Sequence, residues 1–210
     1  MNGLDTLLYR AILQSIQNEL NVEKLQQIDK RLQQEHGVKF SELGNKPNKI
    51  KNQLFEFEDE LKKIENRLLR NFLLIENQSS ETWLVIMNRH LTELILKTFA
   101  DEDKKMMLDF TRIKSETIPK ILSLCNIPNT SGYRKMKQLI DDGFVIPDGM
   151  AETFEGRRAL LYKSIIQKIQ ITIDKSDIFA KILVPKESIN SSEIIKTITD
   201  TNQGKRILAN

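Results

Sequence analysis

Apolar side chains in the first third of the chain recur at the spacing of amphipathic helices. The first stripe consists of Leu4, Leu8, Ile12, Ile16 and Leu20. Side chains four positions apart share one helical face, so this spacing predicts a helix. A second helix is predicted between a capping Asn21 and a terminating Gly37, and Pro47 opens one long helix, or two, reaching Phe72. Together they predict a helical domain over residues 1–76.

Residues 76–81 are polar and predict a linker. Beyond them, apolar residues recur at helical spacing from Trp83 to Phe99, which predicts a connecting helix over residues 82–99. Because apolar residues cover much of its surface, this helix is our candidate dimer element. The alternative is that it packs across the elements that follow it.

Shorter elements are predicted from residue 100 onward. Two helices come first, from Asp101 to Lys114 and from Glu116 to Cys125. The inward positions of the first are Met106, Met107, Phe110 and Ile113. A third helix and then two strands follow, and the strands are joined by a hairpin loop over residues 155–158. Three helices followed by a β-hairpin predict a winged helix.

A second hairpin is predicted from alternating apolar residues between Ile165 and Val184. It would extend the sheet of the wing or form a small platform, so the winged-helix domain is predicted over residues 100–184. Residues 185–210 are predicted to be a tail with a short helix, because residues 190–193 resemble a capping box. The predicted fold is mainly α with a small antiparallel β component.

The third helix carries signals at both ends. Pro128 suits a helix start because its fixed φ and missing N–H cost nothing there. A side chain among residues 129–131 is expected to cap the free N–H groups, and Gly143 is expected to adopt the left-handed conformation beyond the helix. A helix over residues 129–142 is therefore predicted.

This third helix has one apolar and one polar face. The apolar face consists of Tyr133, Met136, Leu139 and Ile140. We expect Tyr133 to be a core residue with its hydroxyl at the rim. The remaining positions carry Thr130, Arg134, Lys135, Lys137 and Gln138, and no acidic residue precedes Asp141. The apolar face can pack against the core of the domain, and the polar face can bind an anion.

Composition limits the classes of function. The net charge of +3, from 32 basic and 29 acidic residues, is too balanced to indicate nucleic-acid binding, so a basic surface requires local segregation of charge. The single cysteine, Cys125, cannot form an internal disulfide, which favours a reducing cytoplasm. Because the chain shows neither a signal peptide nor an apolar run long enough for a bilayer, we expect a soluble cytoplasmic protein without membrane contact.

No sequence motif indicates catalysis. The chain has no Gly-rich phosphate loop, nucleophile elbow or metalloprotease helix. The acidic stretch over residues 56–60 is better explained by ion pairs on an exposed helix face. His36, His90 and Cys125 have no partners at metal-ligand spacing, so we expect structural roles for them. Neither an enzyme, a cofactor nor a metal site is expected.

Four segments occur in order within residues 100–184, namely Ile127–Lys135, Leu139–Val145, Thr153–Arg158 and Leu161–Ser164. Together they resemble archaeal winged helix-turn-helix regulators of the ArsR-like type. The resemblance implies a DNA-binding transcriptional regulator. The segment from His36 to Ile50 is more loosely similar to a small helical output domain of archaeal signalling proteins, which implies a sensing, output or dimerising role for residues 1–76.

If the winged helix binds DNA, its contacts divide between bases and phosphates. With the helix that begins at Asn129 in the major groove, the side chains near base edges are Thr130, Ser131, Arg134 and Gln138. Lys135 and Lys137 are expected at phosphates. In the wing, Arg157 and Arg158, supported by Lys163, are expected at the backbone or an adjacent minor groove. A homodimer would place two recognition helices one turn of double-stranded DNA apart.

A second interpretation uses the same residues differently. Arg134, Lys135 and Lys137 would then form the solvated face of a helix, and the winged helix would be a protein-docking module. The chain would be a signalling adaptor whose helical domain binds a signalling protein. Salt-sensitive retention of DNA separates the two interpretations.

Overall fold

The computed structural model describes residues 3–45, 59–78, 81–152, 156, 158–175 and 177–208. The helices are α1 (Gly3–Glu19), α2 (Val22–His36), α3 (Asp59–Leu69), α4 (Arg89–Ala100), α5 (Glu102–Ile113), α6 (Ile118–Leu124), α7 (Asn129–Asp141), α8 (Lys186–Asn190) and α9 (Glu193–Leu208). The strands are β1 (Leu73–Gln78), β2 (Glu81–Ile86), β3 (Val145–Glu152), β4 (Arg158–Ser164), β5 (Lys168–Asp174) and β6 (Asp177–Leu183). The protein is mostly helical with antiparallel sheets, which confirms the predicted fold class.

The predicted ends of α2 are confirmed. Asn21 Oδ1 accepts a hydrogen bond from the N–H of Lys24 at 2.8 Å. Beyond the helix, Gly37 adopts the left-handed conformation with φ of 67°, which a residue without a side chain reaches at no steric cost. The predicted helix start at Pro47 lies outside the described residues, and α3 ends at Leu69, before the predicted end.

The predicted linker and the first half of the predicted connecting helix are wrong. Within the linker at 76–81, residues 76–78 belong to β1 and residue 81 belongs to β2. The connecting helix predicted over residues 82–99 begins as strand β2, and α4 starts only at Arg89. Aromatic and branched side chains over residues 83–86 fit a pleated sheet, and pairing with β1 and β6 on either side favours the strand.

The larger sheet has the strand order β1-β2-β6-β5, and all its neighbours are antiparallel. One row across it consists of Leu73, Ile86, Ala180 and Ile171. The first three are buried, whereas Ile171 at the edge is 40% exposed. The predicted hairpin between β5 and β6 is present, but it joins β2 and does not extend the wing. It therefore forms a platform of its own, against which α4 packs.

The helices α5, α6 and α7 are followed by the hairpin β3–β4, which is the order of a winged helix. Between α5 and α6, Glu116 exchanges backbone hydrogen bonds with Tyr162 of β4, at 3.4 and 2.9 Å. This bridge attaches the wing to the start of the helix-turn-helix. The wing is therefore held in place at its base rather than attached by β3 alone.

The buried face of α5 differs from the predicted one. Met107, Leu108 and Thr111 are buried, whereas Met106 is 42% and Ile113 81% exposed. The inward positions predicted for Met106 and Ile113 are therefore wrong. Since α5 packs against α4, α7 and β4 at once, its neighbours and not its apolar stripe alone determine which side is buried.

The N-terminal helices and the winged helix share one cluster of buried side chains. Helix α1 passes the end of α7 at Gly143, where a side-chain carbon would lie 2.6 Å from the backbone nitrogen of Leu7. Arg10 of α1 forms an ion pair with Asp142 at 2.9 Å. Helix α1 therefore contacts the C-terminal end of α7 directly.

The predicted tail over residues 185–210 contains two helices, α8 and α9. Ser192 Oγ accepts a hydrogen bond from the N–H of Ile195 at 3.0 Å, so α9 is capped by Ser192 and not by residue 190, the first position of the predicted capping box. Ile195 and Ile198 are buried in the common core. Helix α9 continues to Leu208 and is therefore longer than the short helix predicted.

Candidate nucleic-acid interface

A tight turn brings α6 and α7 together. In this turn Asn126 has a φ of 54°, a conformation that asparagine tolerates better than most residues. The N–H of Ile127 donates to the carbonyl of Leu122 at 2.9 Å. Gly132 is buried in α7, and a side-chain carbon there would lie 2.5 Å from Leu122 Cδ2. The small residue therefore allows the close approach of α6 and α7 in the helix-turn-helix.

Helix α7 begins and ends where the sequence predicts, but its start is not capped as predicted. No side chain accepts from its first N–H groups, and Pro128 occupies the capping position. Ser131 Oγ instead donates to the carbonyl of Pro128 at 3.2 Å. The side-chain cap predicted among residues 129–131 is therefore wrong. At the other end, Gly143 has the predicted left-handed conformation, with φ of 81°.

The packed face of α7 is narrower than predicted. Gly132, Met136 and Leu139 are buried, whereas Tyr133 is 46% exposed. The prediction that Tyr133 is a core residue is therefore wrong. The solvent-facing residues of α7 are Asn129, Thr130, Tyr133, Arg134 and Lys137, with Ser131 and Gln138 half-buried at the margins.

Lys135 is bound by carboxylates and does not point freely into solvent. Its ammonium lies 2.7 Å from Asp101 and 2.9 Å from Asp103, both at the start of α5, and its side chain is 18% exposed. These hydrogen bonds raise the pKa of Lys135 above its ordinary value. Burial raises the pKa of Asp101, but the hydrogen bonds from Lys135 and from the N–H of Lys104, together with the charges of these two lysines, outweigh burial and leave that pKa lowered. Lys135 therefore ties α7 to α5.

Two further lysines of the predicted set have acidic neighbours. Lys137 Nζ lies 2.5 Å from Asp141 one turn along α7, but its side chain is 74% exposed. In the wing, Lys163 Nζ lies 3.9 Å from Asp148, which also accepts a hydrogen bond from Ser115. An exposed pair within one helix is weak, so Lys137 can exchange its carboxylate for a phosphate.

Arg134 differs from these lysines. Within the described part of the chain it has no ion-pair or hydrogen-bond partner, and its side chain is exposed. Arg158 at the start of β4 is exposed in the same way, again with no partner among the residues described. Arg157 lies outside the described residues, while the neighbouring Gly156 has a left-handed φ of 73°.

The acidic residues near α7 are concentrated away from its N-terminal half. Asp101, Glu102 and Asp103 are at the start of α5, beside Lys135, and Asp141 and Asp142 are at the end of α7. Residues 129–134 include no acid. Of the two exposed cations of α7, Arg134 therefore lies in the half without acids, whereas Lys137 lies beside Asp141.

The histidines and the cysteine lie outside this surface. His36 is the last residue of α2. His90 Nε2 lies 3.1 Å from the side-chain nitrogen Nδ2 of Asn18. Both residues line a cavity of about 370 Å³ between α1 and α4. Burial raises the pKa of the Cys125 thiol, which reduces its reactivity. Among the described residues, no group of three His, Cys, Asp or Glu side chains is arranged to hold a metal ion.

The sequence did not predict the two carboxylates that hold Lys135. It also did not predict the ion pair between Arg10 and Asp142 at the end of α7. Asp101 is recognisable from sequence as the cap of α5, and its Oδ1 accepts from the N–H of Lys104 at 3.2 Å. Its second role depends on a helix 34 residues further along the chain. No local signal marks such a contact.

Comparison of the chain with protein-family models, with curated proteins and with solved structures finds no match. The resemblance to archaeal regulators stays a prediction. No helix among the residues described is both long and apolar enough to cross a membrane.

Proposed function

We propose that this protein is a DNA-binding transcriptional regulator that inserts α7 into the major groove of double-stranded DNA. The observation that carries the proposal is the exposed Arg134, which projects without a partner among the described residues from the second helix of a helix-turn-helix. A guanidinium in this position can bind guanine O6 and N7 with two hydrogen bonds or can bind a phosphate. The adjacent wing supplies Arg158 to the backbone or the minor groove.

The distribution of charge along α7 supports an approach by its N-terminal end. Recognition helices contact base edges through their N-terminal residues, and in α7 these residues are Asn129, Thr130, Ser131 and Arg134. The uncapped N–H groups at the same end favour a nearby phosphate. The acids at the C-terminal end, Asp141 and Asp142, would lie furthest from the bases.

The structure changes the set of residues proposed to bind DNA. Arg134, Lys137 and Arg158 are exposed and remain in it, together with the polar residues at the start of α7. Lys135 is proposed as a structural residue, because leaving Asp101 and Asp103 would expose two unpaired carboxylates to the phosphates. Lys163 beside Asp148 at the base of the wing is at most a weak contact.

The test compares Arg134→Ala with Lys135→Ala, two neighbouring substitutions that each remove one positive charge. Binding of a fluorescent random-sequence duplex is measured by anisotropy at about 50 mM and about 200 mM salt. We expect salt-sensitive binding by the wild type and about tenfold weaker binding by Arg134→Ala. Lys135→Ala is expected to weaken binding less than Arg134→Ala, only through the two carboxylates that it leaves unpaired, and to lose thermal stability.

Two outcomes would contradict the proposal. Failure of the wild-type protein to bind the duplex at low salt would exclude DNA binding by this surface. Equal losses of affinity in both variants would show that binding responds to net charge and not to the exposed guanidinium. Circular dichroism of each variant confirms that the fold is retained.

One observation favours the signalling adaptor as a second candidate. Met150 and Leu160 lie opposite each other in the wing and are 64% and 41% exposed, so the wing presents an apolar pair to solvent. A docking partner would cover this pair. The adaptor is the better explanation if the wild-type protein does not retain DNA at low salt.

A further inference from the structure

Strand β5 is an edge of the four-stranded sheet. It pairs with β6 on one side, and the sheet order places no other strand of the described chain beyond it. Along its length from Lys168 to Asp174, every residue is exposed except Ile169, which is half-buried. The backbone groups on its outer side are therefore open to another strand.

This edge lacks the features that usually prevent pairing between molecules. The register of β5 with β6 runs without a bulge from Lys168 opposite Leu183 to Asp174 opposite Asp177. The strand contains no proline, and the residues between its terminal Lys168 and Asp174 are uncharged. Natural edge strands commonly carry a central lysine, a proline or a bulge, so β5 has the properties of a pairing strand.

The sequence of β5 is complementary to itself when read in the opposite direction. In an antiparallel pair of two copies centred on Ile171, Lys168 of each copy lies opposite Asp174 of the other. Ile169 lies opposite Ile173, and Gln170 lies opposite Thr172. Directly opposite residues share one face of the sheet, so apolar residues meet apolar ones, amide meets hydroxyl, and opposite charges meet at both ends.

We propose that β5 pairs antiparallel with β5 of a second copy of this chain, about a two-fold axis at Ile171. Each four-stranded sheet then continues into the other across the interface. Such an interface is isologous, because the same residues on both copies form it. This register is favoured over its neighbours. A shift by one residue would place isoleucines opposite polar side chains, and a shift by one or two residues would separate Lys168 from Asp174.

Exposed apolar residues beside the edge give this pairing a second source of stability. Ile171, Ile173 and Ile178 lie on one face of the β5–β6 hairpin and are 40%, 70% and 42% exposed. In the paired sheet, Ile171 meets its own symmetry mate and Ile173 meets Ile169 of the second copy. Their burial adds hydrophobic stabilisation to the hydrogen bonds of the strands.

The first test measures the mass of the full chain in solution by sedimentation velocity over a range of concentrations. Wild type is expected to form a dimer, with twice the 24.4 kDa mass of one chain. Ile171→Lys places two like charges opposite each other at the axis and should shift the protein to monomer. The matched control Thr172→Lys adds the same charge on the other face, opposite Gln170, and should leave most of the protein dimeric.

The second test maps the axis by cross-linking in a Cys125→Ser background. Ile171→Cys places two thiols directly opposite each other, at a separation that a disulfide can span. Thr172→Cys places its two thiols diagonally, about 7–8 Å apart, which is too far for the bond. Mild oxidation should therefore give a covalent dimer of the first variant and little of the second.

Each alternative result overturns the proposal. A wild-type chain that stays monomeric at all concentrations excludes the pairing. A dimer that persists in Ile171→Lys, or that cross-links equally well through residue 172, uses another surface. No DNA is present in either experiment, so the result is independent of the proposed function. Far-ultraviolet circular dichroism shows whether each variant is folded.

Discussion

The carboxylate of Asp5, in the first helix, accepts a hydrogen bond from the hydroxyl of Ser192, just before the last helix, at 2.5 Å. Both side chains are buried. The same carboxylate lies 3.3 Å from the backbone nitrogens of Glu193 and Ile194 and accepts their hydrogen bonds. A side chain from α1 therefore satisfies the first N–H groups of α9, close to the positive end of its dipole. The two ends of the described chain are joined by this contact.

Asp5→Ala should destabilise the protein by about 2 kcal/mol, because it leaves the buried Ser192 hydroxyl and two partly buried N–H groups without their acceptor. Ser192→Ala should cost less, since Asp5 would still accept from the backbone of α9. Urea unfolding measures both changes, with Glu23→Ala on the exposed face of α2 as the control. If Asp5→Ala is no more destabilising than Glu23→Ala, the contact does not contribute to stability.

Gly143→Ala should be more destabilising than Gly149→Ala. Both glycines have left-handed φ, 81° and 92°, so both substitutions introduce a similar backbone strain of about 1–2 kcal/mol. At Gly149 no atom lies within 4 Å of the new carbon, whereas at Gly143 the backbone of Leu7 lies 2.6 Å away. The difference in melting temperature between the two variants therefore measures how closely α1 packs against the end of α7. Equal decreases in melting temperature would contradict this packing.

The helices that could be predicted with their ends are those that have a capping residue or a proline at the start and a glycine after the end. Helix α2 has its cap and its terminal glycine, and α7 lies between Pro128 and Gly143. Strands β1 and β2 were missed because a short apolar run fits a helix and a buried strand equally well. The available hairpin signal was the branched apolar residues on both sides of the polar stretch at residues 77–81.

The sequence predicts where the candidate site lies, but not which of its side chains are exposed and which are held in ion pairs. The sequence places Arg134 and Lys135 side by side on one helix with the same positive charge. Only the fold shows that Asp101 and Asp103 from α5 bind the second and leave the first exposed. The burial of Tyr133 was predicted wrongly for a related reason. Gly132, one position earlier, is the residue that packs against α6, and Tyr133 is exposed.

Glu65 should make stability depend on pH between 4.5 and about 7. Burial raises its pKa from 4.5 to about 7, and Lys62 opposes this shift. Since the folded state holds the proton more tightly than the unfolded state, stability is highest below pH 4.5 and falls as the pH rises through about 7. The expected loss is about 2–3 kcal/mol. Urea unfolding across this range should show a flatter profile for Glu65→Gln, and an unchanged profile would contradict the assignment.

Asp141→Asn should strengthen DNA binding if α7 is the recognition helix. Asp141 holds the ammonium of Lys137 at 2.5 Å, and in the proposed complex it would place a negative charge near the phosphates. Its removal frees Lys137, so the affinity for a random duplex should rise by about two- to tenfold at low salt. Glu23→Gln changes the net charge equally on α2 and should have little effect.

The origin of that gain is resolved by repeating the substitution in a Lys137→Ala background. Lys137→Ala alone should weaken binding and reduce the slope of log affinity against log salt by about 0.9, as expected for one lost phosphate contact. Because the freed ammonium is then absent, Asp141→Asn should add little in this background. A gain of the same size with and without Lys137 would mean that Asp141 acts on DNA by long-range repulsion, and Lys137 would not be a phosphate contact.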